Sequence, residues 1–151
     1  MAGAKDDVWI EAGFAELASS GVEGVRVEVL AKTLGVTKGG FYRRFRDRAA
    51  LLEAMLQRWS AGRVAAIAQH ASLDGASARE RLESIVRLYS ERMNSAGMAI
   101  ELAIRQWARS DFAAARAVAS VDAARLKNVD PRAVVDELIH SVAVPGSRAT
   151  M

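Results

Sequence analysis

Apolar residues recur along this chain at three- and four-residue intervals, and no period-two alternation persists long enough to make a strand. Ile10, Phe14, Leu17 and Ala18 share one face of a helix predicted over about residues 5–20, and Gly21 follows as its C-terminal cap. Val27, Leu30, Ala31 and Leu34 form the stripe of a short second helix, closed by Gly35. Thr37 then stands where its hydroxyl can accept a backbone N–H and start a third helix over 37–45. Phe41 and Phe45, four apart, face inward. Two short helices joined by a Gly-containing turn make the helix-turn-helix pattern, whose second helix enters the major groove of DNA.

The pattern continues past residue 47. Asp47 is placed to cap a long helix carrying Leu52, Met55, Leu56 and Trp59 and running to about residue 71. Asp74-Gly75 marks a turn, and Ser77 with Glu80 makes a capping box for a helix striped by Leu82, Ile85, Val86, Tyr89 and Met93. After a turn at 94–97, Ile100, Ile104 and Trp107 form the next stripe; Ser110-Asp111 then starts a helix holding Phe112, Val118 and Val121. Asp130-Pro131 opens a last helix lined by Val134, Val135, Leu138, Ile139 and Val142, which Pro145-Gly146 stops. The expected architecture is all-α: a three-helix head over residues 1–47 and a helical body over 48–151.

Composition narrows the chemistry. A chain of 151 residues can bury a real core. It has no cysteine, which excludes disulfides, thiolate zinc sites and cysteine nucleophiles, and its two histidines, His70 and His140, lie far apart. No nucleophile–base pair, metal-ligand spacing or Gly-rich phosphate loop is present, so neither an enzyme nor a cofactor is expected. No apolar run approaches the ~20 residues that span a bilayer, and two acids interrupt the N-terminal stretch; a cytoplasmic location is expected.

Charge changes the picture more. The net charge is only +3, but residues 37–48 hold Lys38, Arg43, Arg44, Arg46 and Arg48 against Asp47, a net +4, so the other 139 residues sum to −1. On a helical wheel with Phe41 at zero, Arg43 falls at about 200°, Gly39 at about 160° and Gly40 at about 260°, opposite the core. Tyr42 and Arg44 lie on the shoulders. Each glycine costs a helix roughly 1 kcal/mol relative to alanine. A solvated surface helix has no use for two of them, whereas a helix that must closely approach another backbone does. Cations and side-chain-poor positions on one face point to a phosphate-lined groove.

The stretch from Val25 to Leu52, and above all Leu34-Gly35-Val36-Thr37-Lys38-Gly39 followed by Phe41-Tyr42 and Phe45, resembles the DNA-binding head of the TetR family of bacterial transcriptional regulators. The likeness is strong over about residues 8–60; from Ile100 to Leu126 the chain is more weakly similar to ligand-domain helices of some members. The resemblance implies that Thr37 contacts a phosphate, that Lys38 and Gly39 meet base edges with Gly40 beside them, and that Tyr42 reaches the backbone through its hydroxyl. It implies a phosphate-binding role for Arg48 at the start of the fourth helix. Arg26 stands where the family often caps the second helix with threonine or serine, which makes it a phosphate contact instead. Arg43 and Arg44 replace residues that are often aromatic or histidine; an arginine can read guanine O6 and N7.

For the whole chain the resemblance implies a nucleoid-associated bacterial repressor that binds an operator and is released by a small apolar or amphipathic effector. Tyr89, Met93, Met98, Trp107 and Phe112 are the residues of the body placed to line an effector pocket. It also implies a homodimer, since two heads spaced about 34–36 Å apart suit a palindromic site. The body is shorter than is usual for the family, whose members continue into two long helices that pair between subunits. The 134–142 stripe either substitutes as a dimer face or closes the monomer. The alternative is a truncated helical interaction protein that pairs with a relative and binds DNA weakly alone.

Overall fold

The structure is a computed structural model, and it describes residues 4–71, 77, 79–80, 83, 86–87 and 95–128. Among these residues every regular element is helical: α1 (Ala4–Ser20), a single 3₁₀ turn (Val22–Gly24), α2 (Val27–Leu34), α3 (Lys38–Tyr42), α4 (Arg48–Ala71), α5 (Ser95–Trp107) and α6 (Phe112–Asn128). None of these helices is long and apolar enough to cross a membrane.

Local chemistry sets the ends of these elements. Gly21 and Gly35 both have positive φ (71° and 66°), Gly35 in the left-handed helical region, and each ends a helix where the sequence places a glycine stop. At Gly35 the closure is complete: the Val36 amide donates to the Ala31 carbonyl and the Gly35 amide to that of Lys32, which satisfies two of the orphan carbonyls of α2. Asp47 caps α4 by accepting from the Ala50 amide at 2.8 Å, and Asp111 caps α6 by accepting from the Ala114 amide at 2.9 Å. Ser77 and Glu80 form the reciprocal capping box, with the Ser77 amide donating to Glu80 Oε2 and the Glu80 amide to Ser77 Oγ.

One contiguous core joins these helices. Leu17, Val25, Leu30, Phe41, Leu51, Met55, Ile104 and Val121 are fully buried. Each large apolar side chain removed from water in this way contributes about 1.5–3 kcal/mol. The stripes expected of α4 and α5 are inside, including Leu52, Leu56, Trp59 and Trp107. Trp9 is also buried, and its ring meets Phe41 edge-on at 5.3 Å. α1 lies against α4 so closely that a Cβ at Gly13 would stand 2.7 Å from Met55 Sδ, so any side chain there would have to push the end of Met55 aside. α5 packs on α1 and α6, and α6 runs along α4.

A charged cluster pins the body helices together. Glu101 of α5 accepts from both terminal nitrogens of Arg125 on α6, at 2.8 and 3.0 Å, and pairs with Arg105 and Arg63. Arg105 in turn binds Asp122 of α6 through two bonds of 3.1 and 2.6 Å. Burial pushes the Glu101 carboxyl up, but Arg125, Arg105 and Arg63 outweigh it and hold it below its ordinary range. The Arg105 hydrogen bonds likewise hold Asp122 down.

Two apolar residues differ here from the sequence expectations. Phe112, expected on the inner stripe of α6, is the first residue of that helix and is 79% exposed. Val86 also faces outward. The 131–142 helix, His140, and the side chain of His70 lie outside the described residues.

Candidate nucleic-acid interface

The head presents α2 and α3 as a pair that shares the core through Leu30, Ala31 and Phe41. Phe41 anchors α3. Its ring is fully buried against Trp9, stacks on Phe45 at 5.4 Å, and takes the edge of Tyr42 at 5.2 Å. With Phe41 fixed inward, the helical period sends Lys38, Gly39, Tyr42 and Arg43 outward, and all four are exposed. Arg44 and Arg46 are exposed beside them.

α3 is shorter than the 37–45 the sequence suggests. Regular helix ends at Tyr42, and the Arg44 and Phe45 amides both turn back to the Phe41 carbonyl, which tightens the last turn. Thr37 occupies the N-cap position with extended backbone, but its hydroxyl accepts no cap bond; the first turn closes through the backbone, with the Gly40 amide donating to the Thr37 carbonyl. The expected side-chain cap is therefore replaced by a main-chain bond, and the Thr37 side chain stays on the exposed surface.

The two glycines are not explained by the interior. Neither has positive φ. A Cβ at Gly39 would meet nothing nearer than Thr37 Oγ1 at 3.7 Å, and one at Gly40 nothing nearer than Trp9 Cζ2 at 3.9 Å, both ordinary contacts. The fold would therefore accept alanine at either position.

Arg26 is the N-cap residue of α2, exposed and making no side-chain cap bond. Arg48 behaves differently from what the resemblance implies. Its Nε donates to the Val25 carbonyl at 2.5 Å and its Nη2 to the Val22 carbonyl at 2.6 Å, in a half-buried position. Two of its three nitrogens are thereby committed to tying α4 to the turn after α1.

One residue that sequence reasoning passed over belongs to this surface. Glu28, in the first turn of α2, pairs with Lys38 at 3.1 Å, and both side chains are largely exposed. Its own backbone N–H and the Lys38 ammonium hold the Glu28 carboxyl below its ordinary range. The only sequence cue is that Glu28 lies off the Val27–Leu30–Ala31–Leu34 face. Asp47 is also held low, first by the Ala50 amide and then by Arg46.

Of the residues expected to line an effector pocket, the three described ones lie in different surroundings. Trp107 is buried in the core, Met98 is on the surface, and Phe112 is exposed with Arg116 6.0 Å above its ring. Tyr89 and Met93 lie outside the described residues. An open cleft of about 270 Å³ lies elsewhere, between α4 and α6, lined by Leu56, Gln57, Ser60, Arg116 and Ser120 among others.

Comparison with known proteins agrees with this geometry. Residues 10–55 match the family model "Bacterial regulatory proteins, tetR family". A crystal structure assigned to a TetR-family transcriptional regulator from Rhodococcus sp. superposes with a TM-score of 0.65 at 26% identity, over 97% of this chain and 77% of that one. No curated protein matches the chain.

Proposed function

Because the chain belongs to the TetR family of bacterial regulatory proteins, we propose that it is a sequence-specific repressor that lays α3 in the major groove of an operator. The observation that carries this reading is the outward face of α3: two glycines that the interior does not need, flanked by exposed Lys38, Tyr42 and Arg43. Lys38 and Arg43 are the base readers, since a lysine or arginine pairs with guanine O6 and N7. Thr37, Tyr42, Arg26 and Arg44 position the head on phosphates. Gly39 and Gly40 let the two backbones approach.

In this reading the head spans residues 1–47 and the body 48–151. A homodimer supplies two heads, and a small apolar or amphipathic effector held by the body shifts their spacing and releases the DNA. The contact of α5 with α1 gives the body a direct mechanical hold on the head. Fluorescence anisotropy with the duplex upstream of the protein's own gene tests the groove assignment. Replacing Lys38 and Tyr42 together by alanine is expected to weaken binding more than about tenfold, as the loss of one base reader at 1–3 kcal/mol implies. Binding unaltered by that double change overturns the assignment.

A further inference from the structure

The sole charged side chain of α3 is not directed at solvent alone. Lys38 opens the helix Lys-Gly-Gly-Phe-Tyr, and its ammonium sits 3.1 Å from the Glu28 carboxylate of α2. All the other cations of this face come from outside α3: Arg26 before α2, and Arg43, Arg44 and Arg46 after α3. Glu28 is thus an acid set on a surface otherwise arranged for a polyanion, and it neutralises the cation at the start of the reading helix.

We propose that Glu28 is a specificity-determining residue, a carboxylate that holds Lys38 in a neutral pair from which it can still serve a base edge but not a phosphate. This inference rests on the placement of α3 in the groove. The physical argument is one of competition. A generic phosphate attracts Lys38 only as a point charge, and must displace a carboxylate that already supplies that charge at hydrogen-bond distance. It must also tolerate Glu28 itself close to the DNA backbone. A guanine edge offers two acceptors, O6 and N7, at a fixed place in the groove, and two of the three ammonium N–H groups can meet them while the third stays on Glu28. The pair therefore subtracts from non-specific attraction more than from operator binding, and the ratio between them rises. Exposed pairs are weak, so the effect on any one affinity is modest.

Two features make this more than incidental pairing. The partners come from the two different helices of the helix-turn-helix, ten positions apart, so the pair depends on the angle between α2 and α3 that docking on DNA also requires. The pair also spans the start of α3, next to the positions where Gly39 and Gly40 keep the surface bare.

The test is Glu28→Gln, which keeps the side-chain shape and removes the charge. Anisotropy is read over a salt series on a mixed-sequence duplex and on the duplex upstream of the gene. Glu28→Gln is expected to tighten mixed-sequence binding about two- to fivefold, the range of an exposed ion pair. It should also steepen the slope of log K against log salt by about 0.9, one more neutralised phosphate. Upstream-duplex binding should change less, so that the specificity ratio falls. In a Lys38→Gln background the same substitution should gain clearly less, because only the repulsion by Glu28 is then left to relieve. An equal gain in that background overturns the proposal, because Glu28 would then act only as a repelling charge. So does an unchanged salt slope in the single variant. If the parent protein binds neither duplex, the groove assignment itself fails; if it binds both and Glu28→Gln is indistinguishable from it, only the role of Glu28 fails.

Discussion

Arg48→Ala separates two roles that sequence position alone assigns alike. Were Arg48 a phosphate anchor, its loss would weaken DNA binding and leave the free protein as stable as before. The structure instead commits its Nε and Nη2 to the carbonyls of Val25 and Val22, at 2.5 and 2.6 Å. Hydrogen bonds to charged groups contribute about 1.5–3 kcal/mol each. The site is half-buried, so water can reach part of what the substitution uncovers, and the sum falls at the lower end: a loss of about 2–4 kcal/mol of folding stability. In a protein of this size that corresponds to a fall in Tm of about 5–15 °C. The assay is urea unfolding followed by far-UV circular dichroism, with the slope m compared between variants so that a change in midpoint reads as a change in stability. Arg48→Lys should recover part of the loss, since one ammonium can serve one carbonyl. A midpoint unchanged within error, together with a loss of DNA affinity, would refute the reasoning and return Arg48 to the phosphate contacts.

Other perturbations have equally definite outcomes. Gly39→Ala should stabilise the free protein by up to about 1 kcal/mol, because alanine is the better helix former and the nearest atom is 3.7 Å away; the same variant should lose DNA affinity by tenfold or more, and a melt and an anisotropy titration together check the opposite signs. Phe41→Ala removes a fully buried ring with three aromatic neighbours and should cost about 3–5 kcal/mol, measured by denaturant titration. For Glu101 and Asp122 the folded carboxyls lie below their ordinary values of 4.5 and 3.8. Their contribution is therefore complete above those values and is lost as pH falls through the lower folded ones. A urea midpoint that declines in that acid window, and declines less in Glu101→Gln, is the expected result.

The sequence showed the helices chiefly through their ends and stripes. Gly21 and Gly35 stop α1 and α2 with a positive φ that favours glycine, Gly35 closing the last carbonyls of α2, and Asp47 and Asp111 start α4 and α6 through local hydrogen bonds. These are interactions across three or four residues, and a sequence displays them directly. The outward direction of Gly39, Tyr42 and Arg43 was legible for the same reason, since Phe41 fixes the phase of the helix. What escaped was decided across longer distances. The reach of Arg48 back to Val22 and Val25, and the hold of Glu28 on Lys38, depend on how separate elements come together. In the body, the helical pairs Glu101–Arg105 and Asp122–Arg125 follow from spacing, but Arg105–Asp122 and Arg125–Glu101, which join α5 to α6, do not. Apolar residue type likewise could not say that Phe112 faces solvent while Trp107 fills the core.

The natural chain has no cysteine, which allows one photoactivatable label to be placed at will. Arg43→Cys on the outward side of α3 and Ala123→Cys on the exposed face of α6, each carrying the same short azide cross-linker and irradiated with the upstream duplex, put the central claim to its most direct trial. Label at position 43 should join the DNA in high yield, and label at position 123 should leave it untouched. Equal capture from both positions, or capture from position 123 alone, would contradict the placement of α3 in the groove.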